Sequence, residues 1–163
     1  MKELADAADS LLAGQVVRSK LPHMSNSPVF VYNFTIPESV IDENGHVNNV
    51  AYVQWMQEAA IRHGQEWLTG YTGYNEDATF VAREHRIEYL SPAFLGEELE
   101  IHTWLDEIKR VRAHRRYEFI RKSDGRVVAK GETDWVYMDM KTGRLIAIPA
   151  NILDLFPVLP DQS

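Results

Sequence analysis

The chain has 163 residues, 45% of them hydrophobic and 25% charged, which suits one soluble globular domain with a core of its own. It has no cysteine, so disulfides, thiol catalysis and zinc–thiolate sites are excluded. The net charge of −7 argues against general nucleic-acid binding. No apolar run approaches the roughly 20 residues that span a bilayer. Acids at Glu3, Asp6 and Asp9 fall where a secretory leader would be apolar, so a cytoplasmic location is expected.

Residues 1 to about 20 have helical composition with irregular Ala and Leu spacing, and Ser25-Asn26-Ser27-Pro28 reads as a linker, so the arm spans 1–27. A peripheral N-terminal arm is expected there, followed by a single domain over 28–163. Pro28 to Ile36 alternates Phe30, Tyr32, Phe34 and Ile36 with Val29, Val31, Asn33 and Thr35, a strand pattern that Pro37 ends. A polar loop follows from Glu38 to His46. The spacing then predicts a long helix over 47–68. Tyr52, Trp55, Met56, Ala59, Ala60, His63 and Trp67 recur at 3, 4 and 7, while Gln54, Glu58, Arg62 and Gln65 fall opposite. Val50, Val53 and Ile61 widen the apolar surface, so burial around much of the helix is expected. Gly70, Gly73 and Asn75 break it.

Strand patterns follow near 79–90, 97–108, 111–121 and 126–139, with Ser123-Asp124-Gly125 as a hairpin turn between the last two. Asp139 to Arg144 is a further turn, and Pro149 to Phe156 suits a short helix with Pro149 in its first turn. One strand, one long helix and then four strands is an α+β arrangement in which a curved antiparallel sheet wraps a helix. Such a sheet leaves an edge or face needing cover, and self-association is the expected remedy.

Charge is unevenly placed. Between Lys109 and Lys130 nine Lys or Arg residues face two acids, Glu118 and Asp124, so the segment is near +7 and the remainder near −14. A local basic surface suits a small anionic partner or an acidic carrier protein, and equally a solvated sheet face. His85, His102 and His114 stand singly on strand patterns without metal-ligand spacing and read as structural or surface residues.

The informative stretch is Asp42-Glu43-Asn44-Gly45-His46-Val47-Asn48-Asn49-Val50-Ala51-Tyr52-Val53-Gln54-Trp55. Simple capping would need one Asp or Asn and a Gly. Here Asp42, Asn44, His46, Asn48 and Asn49 fall within eight positions, ahead of a strongly apolar helix. A helix start presents free N–H groups and a positive dipole end, which would polarise a carbonyl without a metal.

The segment D-x-N-x-H-V-N-N-V-x-Y-x-x-W resembles the active-site region of plant-type acyl-carrier-protein thioesterases. Its core, D-x-x-G-H-V-N-N-x-x-Y, is similar to bacterial members of the 4-hydroxybenzoyl-CoA thioesterase superfamily. Ile87-Glu88-Tyr89-Leu90-Ser91-Pro92-Ala93-Phe94-Leu95-Gly96-Glu97 resembles that superfamily's I-x-Y-x-x-P-x-x-x-G-[DE] pattern. The resemblance covers roughly residues 28–140 and implies a hotdog fold, an acyl-thioester hydrolase acting on acyl-CoA or acyl carrier protein, no cofactor beyond water, and a homodimer or homotetramer.

Residue by residue, the resemblance implies that Asp42 attacks the thioester or activates a water, a choice the sequence leaves open. His46 and Asn44 match the plant-type catalytic residues, and the backbone N–H of Asn49 matches the oxyanion donor. Glu58 corresponds to a helix glutamate used in another branch and is a secondary candidate. Gly45, Val47, Asn48 and Tyr52 are candidate substrate contacts, as are Arg112, Arg115 and Arg116 of the basic segment, with Arg110 and Arg121 able to contact the same anionic partner. Plant-type enzymes carry a further acid where this sequence has Pro92, so the pattern fits the small single-domain bacterial branch better. Two other readings remain: an acyl-binding or sensing module, which would need no Asp42, and a hotdog hydratase or dehydratase, whose motif places a Pro after the Asn.

Overall fold

The connection between the first two strands decides the architecture. In the computed structural model, which describes residues 27–68 and 75–160, β1 (Phe30–Thr35) and β2 (Ala78–Tyr89) stand at opposite ends of one sheet. The chain crosses between them as α1 (Asn49–Leu68), so the helix covers the sheet's inner face. Three strands then fill the gap: β3 (Glu98–Lys109), β4 (Arg112–Arg121) and β5 (Val127–Asp139). The order is β1-β3-β4-β5-β2, antiparallel throughout, and a short β6 (Arg144–Leu145) pairs with β5. A single-turn helix, α2 (Ala150–Leu153), starts after Pro149. This is the hotdog fold, and each expected element lies within a few residues of its position. The expected arm over 1–27 lies outside the described residues apart from Ser27, as do Gly70 and Gly73.

Alternation explains the strands. Phe30, Tyr32 and Phe34 turn inward on β1 while Val31, Asn33 and Thr35 face out. On β4, Ala113, Arg115, Tyr117 and Phe119 are buried, with partly exposed residues between them. The helix buries Ala51, Tyr52, Trp55, Met56, Ala59, Ala60 and His63 against Leu99, Ile101, Phe119, Val128 and Ala129. Aromatic edges organise the N-terminal half: Tyr52 meets Trp55, Tyr89 and Phe119 with ring centroids 5.4, 5.3 and 5.1 Å away. A second cluster joins Leu105, Ala113 and Tyr137 to Ile148, Ile152 and Phe156, docking the C-terminal segment on the sheet.

The expectation of burial around much of the helix does not hold. Val50 is 71% and Ile61 43% exposed, because a single sheet covers only one side of a helix. No described helix is long and apolar enough to cross a membrane.

Helix and sheet approach most closely at Gly131 on β5. A Cβ built there would lie 2.7 Å from the sulfur of Met56, which is fully buried. A strand glycine commonly marks such a close approach. Gly131→Val is therefore expected to lower stability by about 1–3 kcal/mol through overpacking, read as a shift of the denaturation midpoint.

Candidate active site

The loop ahead of α1 is a small closed turn. Ile41 and Val47 form an antiparallel bridge. Inside it the Asp42 N–H donates to the His46 carbonyl and the Gly45 N–H to the Asp42 carbonyl, both at 3.0 Å. The Asn44 N–H donates to Asp42 Oδ1 at 2.8 Å, which fixes the carboxylate. Gly45 has φ +81, and an added Cβ would meet nothing within 4 Å, so the backbone conformation alone calls for glycine here. The turn returns His46 to Asp42: Nδ1 stands 3.7 Å from Oδ1, the side chains 40% and 27% exposed. Both groups are therefore open to a ligand.

Asn48 starts the helix. Its Oδ1 accepts from the Val50 N–H at 2.9 Å, its carbonyl accepts from Ala51 at 3.0 Å, and its own N–H donates to Val40. Among the described residues nothing accepts from the Asn49 N–H, which is left at the positive end of a 20-residue helix. The Tyr89 hydroxyl donates to the Asn49 carbonyl at 3.0 Å and ties this turn to the end of β2. Burial pushes the Tyr52 phenol up to about 12, so it stays protonated.

The second motif forms the wall behind this loop. The Val47 N–H donates to the Ala93 carbonyl at 2.9 Å, and the His46 ring meets the edge of Phe94, centroids 6.4 Å apart. Gly96 and Glu97 exchange backbone hydrogen bonds with Ile36, while Glu97 Oε2 accepts from the Phe94 N–H. Arg121 locks the segment from β4. Its Nε donates to Glu97 at 3.2 Å and its Nη2 to the Pro92 carbonyl at 2.5 Å. Leu90, Phe94 and Leu95 are exposed on this segment, and Phe94 lies beside His46. Sequence reasoning placed Arg121 only among the arginines that could contact an anionic partner, and did not single out Phe94 and Glu97 as site residues. The P-x-x-x-G-E pattern was the available signal for Phe94 and Glu97, whereas the bracing role of Arg121 comes from a distant strand.

The other candidates do not converge here. Glu58 accepts from Gln54 Nε2 at 3.1 Å on the helix flank, roughly 14 Å of helix axis beyond Asn49. Arg112 and Arg116 lie on the outer sheet face in ion pairs, with Glu107 and Asp134 and with Asp106 and Glu132 respectively. Arg121, Lys122 and Lys130 are also paired with acids. The +7 segment is largely cancelled by carboxylates on its neighbours, which a linear window cannot register. Arg115 points the other way, into the core. His85 pairs with Thr133, His102 with Glu100 and His114 with Asp106, each within its own strand neighbourhood.

Residues 37–156 match the family model of the thioesterase-like superfamily, well over half of the chain. The chain belongs to this superfamily. Solved structures agree in fold. A Staphylococcus aureus protein solved in complex with CoA is 19% identical with a TM-score of 0.71, the match covering 78% of this chain and 80% of that one. A 1,4-dihydroxy-2-naphthoyl-CoA thioesterase from Synechocystis is 17% identical at a TM-score of 0.68, covering 78% and 95%. The 12:0-ACP thioesterase from Umbellularia californica is 20% identical at 0.71, covering 82% of this chain and 52% of the longer one. Among curated proteins no match is found. Asn48 caps the helix and joins the closed turn to it. Asn48→Ala is expected to cost about 1 kcal/mol, with Asn48→Asp close to wild type, measured by thermal or chemical denaturation.

Proposed function

We propose that this member of the superfamily is an acyl-thioester hydrolase acting at Asp42. The observation that carries the reading is a fixed, solvent-accessible carboxylate with an imidazole beside it, in the closed turn directly ahead of a helix start whose Asn49 N–H is unclaimed among the described residues. In this reading the Asn49 N–H takes the thioester oxygen as it gains charge. With Asp42 as general base, a water gives its proton to the carboxylate and its oxygen bonds to the carbonyl carbon. The tetrahedral intermediate expels the thiolate, which recovers that proton and leaves as the free thiol beside the carboxylic acid. With Asp42 as nucleophile, its oxygen displaces the thiolate to form an anhydride that water then opens. His46 orients the water in either case. Asn44 holds the carboxylate through its backbone, and Gly45 lets the acyl group come close. Val47, Asn48 and Tyr52 shape the floor, while Leu90, Phe94 and Leu95 suit an apolar acyl group. The substrate class is an acyl-CoA or acyl carrier protein.

Free-thiol release from a panel of acyl-CoAs, short, long and aromatic, tests the reading. Asp42→Asn keeps the shape and removes the charge. It is expected to fold normally and to lower kcat by about 100-fold or more; unchanged turnover would sink the role of Asp42.

The same reading includes a homo-oligomer. β2 is a 12-residue strand at the sheet edge, with Tyr89 exposed at its end and Leu90 just beyond. Among the described residues no strand pairs with its outer edge; a long edge of this kind invites pairing with a second copy, and the exposed Val50 and Ile61 would gain cover from it. Analytical ultracentrifugation at micromolar concentration is expected to give twice the chain mass; a monomer at all concentrations would rule this assembly out.

A further inference from the structure

Under the C-terminal half of α1 the core changes character. Arg115 on β4 is only 4% exposed. Its Nη1 donates to His63 Nδ1 at 2.8 Å and to Thr103 Oγ1 at 3.2 Å. Among the described residues its Nε and Nη2 donate to nothing, and no carboxylate lies within ion-pair distance. A guanidinium buried without an anion is among the least favourable arrangements a core can hold.

Its neighbours add donors rather than charge. His63 Nε2 faces the Trp67 indole N–H at 2.6 Å, so the ring stands between two obligate donors. A neutral imidazole accepts at one nitrogen only, and its own N–H is then a third donor. Burial, and then the charge of Arg115, hold the His63 pKa down to about 3, so the ring adds no charge near neutrality. Two positions along β4, the buried Tyr117 hydroxyl lies near Thr133 and Trp135 without an aligned hydrogen bond, and the Trp135 indole N–H is likewise unpaired. This layer therefore holds one full positive charge and a surplus of N–H and O–H groups, with no anion among the described residues.

A cavity of about 310 Å³ reaches His63 from the surface between β1 and α1. Phe30 and Trp67 line it, and Phe30 stacks on the His63 ring with centroids 5.2 Å apart and planes 13° from parallel. Glu66 also lines it, but is exposed and makes no ion pair with Arg115. Val29, Phe30, Val31 and Trp67 give the cavity its apolar wall and His63 closes its inner end, with Arg115 directly behind the ring; an apolar passage that ends one ring short of a buried cation suits a carboxylic acid anion. The stem would lie against Phe30 and Trp67, and the planar head would take the free edge of the guanidinium as His63 turns aside. A single cation balances a monoanion, whereas a phosphate dianion would leave a charge uncompensated.

We propose that Arg115 anchors a binding site for a monocarboxylate group, between α1, β1 and β4 and separate from the Asp42 loop. His63 lies 14 residues beyond Asn49, roughly 21 Å along the helix axis. The carboxylate is either that of a free organic acid or the distal acid of a long dicarboxylyl thioester. The site does not depend on the hydrolase reading, and the first test needs no turnover.

The full chain and its Arg115→Met variant are melted in chloride and in hexanoate, benzoate or hexanedioate at matched ionic strength. Without carboxylate, Arg115→Met is expected to melt at or above the wild type, because an unpaired charge is gone. With carboxylate at about ten times its dissociation constant, the wild type is expected to rise by roughly 3–6 °C and the variant not at all. A variant that folds but melts lower, an equal rise in both proteins, or no rise in the wild type would each overturn the site. Should Arg115→Met fail to fold, Arg115→Lys decides: losing the planar fork, it is expected to need about tenfold more carboxylate, and wild-type affinity would overturn the proposal. The two sources separate by activity. If the distal acid is the ligand, the wild type prefers an ω-carboxyacyl-CoA over the plain acyl-CoA and Arg115→Met loses the preference. If a free acid is the ligand, the melting shift stands and no such preference exists.

Discussion

Everything at the candidate site depends on the packing of α1 across the inner face of the sheet. The helix cannot stand alone in water, since most helical stability comes from burying an apolar stripe. Here Tyr52, Trp55, Met56 and Ala59 supply the stripe, and the sheet answers with Leu99, Ile101, Phe119 and Ala129. Each large side chain buried in this way contributes about 1.5–3 kcal/mol. The glycine at 131 lets the two surfaces close on Met56. With the axis held so firmly, the helix start has a defined position, and the loop in front of it inherits that position.

The loop's precision then comes from three separate attachments. Asn48 joins it to the helix, the Val47–Ala93 hydrogen bond joins it to the second motif, and Tyr89 joins the first turn to β2. Arg121 and Glu97 brace the second motif from behind. Asp42 and His46 are left as the polar side chains that face outward from a rigid frame. A site on a loop gains accuracy when its supports come from strands, and here they come from β2, β4 and the segment leading into β3.

The two ends of the helix have opposite electrostatic designs. At the N-terminus a free N–H and the helix dipole create positive potential at the surface, where a substrate oxygen can reach it. Near the C-terminus the positive charge is a full guanidinium inside the core, ringed by neutral donors. On the outer face of β4, Arg112 and Arg116 are matched by acids on the neighbouring strands, whereas Arg115 on the inner face has no such acid among the described residues.

The order of elements, their limits and the polar cluster before the helix were legible in the chain itself. Alternation and 3.6-residue spacing are local properties, and a strand or helix that must bury one face shows it in consecutive residues. The closeness of Asp42 to His46 was legible too, because four residues of a turn join them. What lies across the sheet was not. Arg115 and Arg116 are adjacent in sequence and chemically identical, yet one is buried against His63 and the other half-buried on the opposite face beside Asp106. Their difference arises from the pleat and from partners 52 and 10 residues away. Likewise the bracing of Pro92 and Glu97 by Arg121 exists only because β4 lies beside β3. Local patterns of burial belong to the sequence by itself; pairing, cancellation of charge and the isolation of Arg115 are decided by which strands tertiary structure brings together.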